Sequence, residues 1–266
     1  MAQVYRNPVR AGVTRLYHYQ RFNPAWLATT LSEQKVHCAN PANLNDPWDC
    51  KPCFDDRSFQ INEFLIWLAG ITDTPLPDVQ RAASDAGMYH DPDVVKQQLA
   101  LFSTVNLRYI SKLRIYCLTP DPCSTLMWSH YAGNHQGICL EFRTDNNILF
   151  RCAQEVFYRS DYPKWVPQDL SEVAIEMILT KAKDWYYERE FRLIAGPEVR
   201  ETSPLKLYGD YLHIPPDALQ AVIVGCQGDY EAVRRTVNEH APRLPVKRAV
   251  RTPNHYGLTI EDVARR

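Results

Sequence analysis

The feature that most constrains the fold is a series of many short strand-like segments. Helices occur between some of them, but not at regular intervals. The segments alternate apolar and polar residues or form short apolar runs, and turn residues bound them. They cover residues 14–22, 35–40, 113–120, 137–143, 154–159, 188–195, 207–214, 220–225 and 245–250. Helices are predicted at 59–71, 92–110, within 124–134, at 169–187 and at 229–240. Strands and helices that mix without strand–helix–strand alternation predict an α+β fold.

Length and composition indicate one domain of that class. A chain of 266 residues, 45% of them hydrophobic, can bury a core, so we expect a single α+β domain over 1–266 with a helical insertion at 54–112. No apolar run reaches the roughly eighteen residues of a membrane span, and the N-terminus has no apolar leader. We therefore expect a cytoplasmic protein with no membrane partner.

Basic residues concentrate at the two ends of the chain, although the net charge is only −1. Residues 1–36 carry five Lys and Arg against one acid, and residues 232–266 carry eight against three. If the two ends meet, they form a basic edge that favours a phosphate-bearing partner. The alternative is that both ends are ordinary solvated surface.

The eight cysteines are predicted to be free thiols, because the chain is long and has no secretion signal. The alternative is a zinc site built from Cys50 and Cys53 with His37 and Cys38. That site lacks a second CxxC or HxxxH pair, and neighbouring residues of a strand point to opposite faces. We therefore expect no metal.

The central block "STLMWSHYAGNHQGICLEF" runs from Ser124 to Phe142. A Ser or Thr at its start is a favourable N-cap, and Gly133 with Asn134 ends a helix of about two turns. Leu126 and Trp128 are predicted to anchor this helix in the core. "GICLEF" then forms the next strand.

Three residues with polar groups lie in otherwise apolar and aromatic segments: His18, Tyr131 and Glu190. A carboxylate in such a setting is costly unless it is paired or has a function. Each residue alone has a structural explanation. His18 is then a hydrogen-bonded core histidine, Tyr131 a core aromatic residue, and Glu190 the partner of Arg192 or Arg189.

Together the three residues suit cleavage of a glycosidic bond to a cationic leaving group. The ring of Tyr131 can stack on a flat, positively charged heterocycle. His18 can hydrogen-bond a ribose hydroxyl. Glu190 can bond a 2′-hydroxyl and stabilise the oxocarbenium-like cation that forms when the base leaves.

Four segments, "LYHYQRF", "NPANLNDPWDC", "LMWSHYAGNHQGICLEF" and "KAKDWYYEREFRLI", resemble in this order the bacterial domain of unknown function 2971 family, over roughly residues 14–225. That family is similar in layout to the ADP-ribosyltransferase superfamily. The resemblance implies a split antiparallel or mixed sheet and a His–Tyr–Glu site for NAD. A predicted helix replaces the tight loop that usually precedes the catalytic Glu.

The resemblance implies roles for particular residues. His18 would contact the ribose and nicotinamide of NAD, Tyr131 would stack on nicotinamide, and Glu190 would be catalytic, with Glu188 two residues earlier. The nearly isosteric Glu190→Gln is expected to abolish turnover and leave the fold intact. Residues implied to bind the cofactor are His18, Tyr17, Tyr131, Ser129, Asn45, Asp46, Glu188 and Arg192. For Asn45 and Asp46 the alternative is turn chemistry before a proline.

The expected function is ADP-ribosyl transfer from NAD, or NAD hydrolysis, with NAD as substrate. The acceptor is left open. DNA or RNA would fit it, in a toxin or phage-defence system with an antitoxin or immunity partner. One alternative is a catalytically inactive module that binds a nucleotide or nucleic acid. Another is a metal-dependent hydrolase that uses His130, His135 and Cys. The turn "GCQGD" at 225–229 is an anion site or a plain turn before a helix.

Overall fold

A computed structural model describes residues 5–51, 53–54, 61–91, 93–94, 96–97, 100, 104, 108, 110–162, 164–165, 175–196, 199–200 and 202–263. The chain divides into two compact units. The first comprises Met1–Asn40, Leu113–Phe157 and Lys183–Arg266, and the second Pro41–Lys112 and Tyr158–Ala182. The predicted insertion at 54–112 lies within the second unit. The expectation of a single domain stays a prediction.

The described strands are β1 (Arg15–Gln20), β2 (Lys35–His37), β3 (Cys53–Phe54), β4 (Arg114–Leu118), β5 (Ile138–Arg143), β6 (Gln154–Glu155), β7 (Phe157–Arg159), β8 (Lys164–Trp165), β9 (Thr180–Ala182), β10 (Phe191–Ala195), β11 (Tyr211–His213), β12 (Leu219–Val224), β13 (Val246–Arg251) and β14 (Leu258–Asp262). The α-helices are α1 (Pro24–Glu33), α2 (Ile61–Thr72), α3 (Leu76–Asp85), α4 (Thr125–His130), α5 (Ile148–Arg151) and α6 (Tyr230–His240). Residues 175–178 are also helical, and 3-10 helices cover Pro41–Asn43 and Lys183–Glu188. None of the described helices is long and apolar enough to cross a bilayer.

The first unit contains a five-stranded sheet in the order β1-β5-β12-β13-β14. Its neighbours are antiparallel except for β12 and β13, which are parallel and are connected through α6. A second sheet has the order β4-β10-β6, with β10 antiparallel to both neighbours. Backbone hydrogen bonds between Tyr17 and Thr119, at 2.7 and 2.9 Å, link the edge strand β1 to the end of β4. This open arrangement of several sheets confirms an α+β fold.

The two faces of β1 contact different apolar clusters. Leu16 belongs to the main core of the first unit with residues of β4, β5, β10 and β12. Tyr17 and Tyr19 belong to a second cluster with Trp128 and Cys139. Because alternate residues of a strand face opposite ways, Leu16 and the two tyrosines lie on opposite faces of β1.

The predicted helix at 169–187 is wrong for its second half. The described chain is helical at 175–178, forms β9, and then continues as the 3-10 helix Lys183–Glu188. β9 pairs with β7, so strand pairing competes with the helical periodicity there and prevails. The segment before Glu190 is therefore not a continuous α-helix.

The second unit contains α2 and α3, which pack around Phe64, Leu65, Val79, Ala83 and Met88. α2 agrees with the predicted helix at 59–71, whereas the helix predicted at 92–110 lies largely outside the described residues. The described part of this unit also contains two small strand pairs, β3 with β8 and β7 with β9.

Candidate functional site

The short helix α4 presents the central block of the sequence. The Ser124 side chain accepts a hydrogen bond from the Met127 amide at 3.3 Å, which confirms the predicted N-cap. Trp128 is fully buried and donates its indole N–H to the Pro122 carbonyl at 2.9 Å. Leu126, however, is 46% exposed, so its predicted anchoring role is wrong. Met127 and Trp128 are the buried residues of this helix, so they form the side that faces the core.

A tight turn follows α4 and fits against the turn after β12. Gly133, Asn134 and His135 have φ values of 55°, 56° and 66°, in the left-handed region. A Cβ atom added at Gly225 would lie 2.8 Å from the His135 carbonyl carbon and 3.0 Å from the Trp128 ring. Glycine at 225 is therefore required by close packing of the two turns.

The amides of the turn "GCQGD" are used inside the protein. Gly225 N–H donates to the Gly137 carbonyl at 2.9 Å, and Gln227 N–H donates to the His135 carbonyl at 3.0 Å. The Asp229 side chain caps α6 by accepting from Ala232 N–H at 3.0 Å. These contacts favour the plain-turn interpretation over an anion site.

Tyr131 and Glu188 meet, although 57 residues separate them in the sequence. The Tyr131 hydroxyl donates to Glu188 Oε1 at 2.5 Å. Tyr131 is the C-cap residue of α4 and is half-buried, whereas Glu188 is buried at the end of the 3-10 helix. The pair thus joins a partly accessible aromatic ring to a buried carboxylate in the first unit.

A group of aromatic side chains lies next to this pair. His130 Nδ1 lies 3.0 Å from the Tyr187 hydroxyl. The His130 ring centroid lies 6.0 to 6.4 Å from those of Tyr131, Trp185 and Tyr187. His130 is exposed, and the three aromatic side chains are half-buried. These residues form a cluster of partly exposed rings, the kind of side chain on which planar ligands stack.

Glu190 lies in a buried ion pair with Arg192. Arg192 Nε donates to Glu190 Oε1 at 2.8 Å and a terminal nitrogen donates to Oε2 at 2.9 Å. The side chain of Arg192 is 0% exposed, and that of Glu190 4%. The sequence offered an ion pair with Arg192 as the structural explanation for Glu190, and the structure has this pair. A bidentate pair of this kind fixes the orientation of the carboxylate.

The described contacts of His18 involve neither Tyr131 nor Glu190. Its Nδ1 lies 2.8 Å from the Cys117 carbonyl oxygen, and its ring stacks on Tyr116 at 4.2 Å. Burial lowers the pKa of His18 to about 4, so the ring is neutral at pH 7. Tyr131 instead packs against the apolar cluster on the Tyr17 face of β1.

The remaining predicted binding residues belong to several different elements. Tyr17 is buried, and burial with the nearby Glu141 carboxylate raises its pKa to about 12. Ser129 is half-buried on α4. In the second unit Asn45 is exposed, and buried Asp46 accepts from Trp48 N–H at 2.9 Å, an Asx turn. For Asp46 this is the turn chemistry given as the alternative.

No group of three His, Cys, Asp or Glu side chains arranged to hold a metal ion occurs in the described part of the chain. Cys50 is buried and its thiol donates to Asp49 Oδ1 at 3.3 Å, while the Cys53 side chain lies outside what is described. His130 and His135 contact different partners, Tyr187 and Cys226.

A family model described as a protein of unknown function, DUF2971, matches residues 127–193. The matched segment contains Tyr131, Glu188, Glu190 and Arg192 and runs from α4 into β10. The chain matches no curated protein and no solved structure at a significant level. The similarity to DUF2971 therefore covers the residues that the fold brings together in the first unit.

Sequence reasoning missed two arrangements. It named Glu188 only through the Glu-x-Glu pattern and did not find its contact with Tyr131. It also missed a buried ion pair in the second unit, Lys181 Nζ to Asp49 Oδ2 at 3.7 Å, which lines a cavity of about 190 Å³. Charged residues in a short strand and a proline-rich turn were the available signal for that pair.

Proposed function

We propose that the chain is an NAD-dependent ADP-ribosyltransferase-like enzyme, or an NAD glycohydrolase, on a split-sheet fold of that superfamily type. The observation that carries this proposal is the contact of the Tyr131 hydroxyl with Glu188. It supports the proposal because an accessible aromatic ring next to a carboxylate is what cleavage of the nicotinamide–ribose bond needs.

In the proposed reaction nicotinamide stacks on the aromatic surface formed by Tyr131 and its neighbours Trp185 and Tyr187. The bond between ribose C1′ and the nicotinamide nitrogen breaks, and both electrons leave with nicotinamide. The carboxylate stabilises the cation left at C1′. Water or an acceptor hydroxyl then attacks C1′, and its proton passes to the carboxylate.

The two carboxylates contact different side chains: Glu190 pairs with Arg192, and Glu188 contacts Tyr131, the ring proposed to hold nicotinamide. Both oxygens of Glu190 accept bonds from the buried Arg192 guanidinium. Glu188 holds the Tyr131 hydroxyl. We therefore propose that Glu188 is the carboxylate that acts at C1′ and that Glu190, with Arg192, positions the start of β10. This differs from the role that the family resemblance implies for Glu190.

The test is nicotinamide release from NAD by the wild type, Glu188→Gln and Glu190→Gln, with Glu239→Gln on the surface of α6 as the matched control. We expect loss of at least about a hundredfold for Glu188→Gln, in the range of a removed catalytic group. The control should match the wild type. No release from folded wild type, or release that Glu188→Gln leaves unchanged, contradicts the proposal.

Adding a bacterial nucleic-acid and protein extract separates transfer from hydrolysis, because only a transferase needs the acceptor. DNA or RNA is the proposed acceptor class. Arg248 and Arg251, both exposed on β13, supply positive charge for it. Lys247 is less available, since it bonds Glu141 at 2.8 Å.

A second candidate is a catalytically inactive nucleotide-binding module, and the bidentate Glu190–Arg192 pair favours it. A carboxylate with both oxygens bound to a guanidinium is poorly placed to assist chemistry. Calorimetric titration with NAD distinguishes the two. Binding with no nicotinamide release supports the module, and release that depends on Glu188 supports the enzyme.

A further inference from the structure

We propose that Cys226 is a reactive thiol that His135 activates and that it forms mixed disulfides with low-molecular-weight disulfides such as glutathione disulfide. This site lies outside the proposed NAD chemistry and does not depend on it. It joins two sequence motifs, the turn "GCQGD" and the end of the central block, that the proposed function does not use.

The first observation is the pairing itself. Cys226 Sγ lies 3.8 Å from His135 Nδ1, within range for a hydrogen bond of sulfur, although 91 residues separate the two in sequence. Both side chains are half-buried, so a small reagent can reach them. A thiol beside an imidazole is the arrangement that activates nucleophilic cysteines, because the ring takes the proton as the thiolate attacks.

The second observation is that backbone contacts hold together the two turns that carry Cys226 and His135. Gln227, the residue after Cys226, donates its amide N–H to the His135 carbonyl at 3.0 Å. Gly225, on the other side, has no room for a Cβ against the same carbonyl group. His135 itself has φ of 66°, a costly conformation for a residue that is not glycine. The two turns that carry the thiol and the imidazole are thus packed against each other through their backbones.

The third observation is that burial disfavours the thiolate form of four other cysteines. Burial raises the pKa of Cys123 and Cys152, which are half-buried, and raises that of Cys38 to about 12. Cys139 is fully buried, and its pKa lies well above the ordinary value. Burial lowers the pKa of His135, so this ring is neutral at pH 7 and can accept a proton.

The exchange transfers one glutathione from the disulfide reagent to Cys226. The Cys226 thiol proton passes to His135 Nδ1 as the sulfur attacks one sulfur of glutathione disulfide. The S–S bond of the reagent breaks, and a new S–S bond joins Cys226 to one glutathione. The departing glutathione thiolate takes the proton from His135 and leaves as a thiol. No metal or further oxidant is needed.

The experiment treats the full-length protein with glutathione disulfide at pH 7.5 and measures modification of each cysteine by peptide mass spectrometry. We expect Cys226 to react at least about tenfold faster than Cys123 and Cys152. His135→Asn should remove most of that advantage, because general-base assistance is lost. Asn is the matched replacement, since it tolerates left-handed φ better than other side chains.

His255→Asn, in an exposed loop, is the control and should leave the Cys226 rate unchanged. Circular dichroism verifies that each variant is folded before its rate is compared. Equal rates at Cys226, Cys123 and Cys152 would overturn the proposal. An unchanged Cys226 rate in folded His135→Asn would overturn the role of His135.

Discussion

Breaking the Glu190–Arg192 pair is predicted to destabilise the first unit strongly. Both side chains are buried, and the pair lies at the start of β10, the central strand of the three-stranded sheet. Removing one partner of a buried pair leaves an uncompensated charge, which costs about 3–5 kcal/mol. Set against a total stability of about 5–15 kcal/mol, that is a large fraction. At roughly 2–4 °C per kcal/mol for a chain of this size, the Tm should fall by about 6–20 °C.

The assay is a set of thermal and urea unfolding curves for Arg192→Met, Glu190→Met and the double variant. Each single variant should show the large loss, and the double variant should recover much of it, because neither charge of the pair then remains. The control is Arg143→Met, which removes an exposed pair with Asp145 and should cost less than about 1 kcal/mol. Losses below about 1 kcal/mol in the single variants, or fully additive losses in the double variant, would refute the reasoning.

Three further predictions concern single positions. Tyr131→Phe keeps the ring but removes a partner of buried Glu188, so unfolding in urea should show a loss of about 1–3 kcal/mol while calorimetry shows NAD affinity retained. Gly225→Ala places a methyl group against the His135 carbonyl and should cost about 1–3 kcal/mol, measured by the urea midpoint; unchanged stability would contradict the close packing. Burial lowers the pKa of His18 from 6.5 to about 4, so between these values the unfolded chain binds a proton that the folded chain does not. Stability should therefore fall as the pH decreases from about 6.5 towards 4, and His18→Phe should flatten that dependence in unfolding curves at constant ionic strength.

Local signals predicted much of the first unit. The Ser124 N-cap and the strand at β1 depend on residues close in sequence, and both were confirmed. Leu126 was predicted to be buried and is exposed, because a helix of six residues has only one inner face and Met127 with Trp128 occupy it. On so short an element, periodicity does not decide which apolar side chain is buried.

Contacts between segments far apart in the chain could not be predicted from the sequence. Residues 175–188 have helical periodicity, yet part of this segment pairs with β7 as a strand, and that partner is set by topology. The contact of Tyr131 with Glu188 likewise depends on where the 3-10 helix ends. For Glu190 the sequence offered catalysis or an ion pair, and only the position of Arg192 in three dimensions shows that the pair forms.

The different surroundings of Glu188 and Glu190 have a backbone cause. In an uninterrupted strand, residues two apart face the same side, so both carboxylates would share one environment. Here Glu188 ends a 3-10 helix, Arg189 adopts φ of 46° in the left-handed region, and the strand begins after Glu190. This turn directs one carboxylate to Tyr131 and the other to Arg192. On the proposed function, Glu188→Gln should therefore mainly reduce nicotinamide release. Glu190→Gln should also lower the free energy of unfolding. This differs from the intact fold expected for Glu190→Gln because glutamine is nearly isosteric with glutamate.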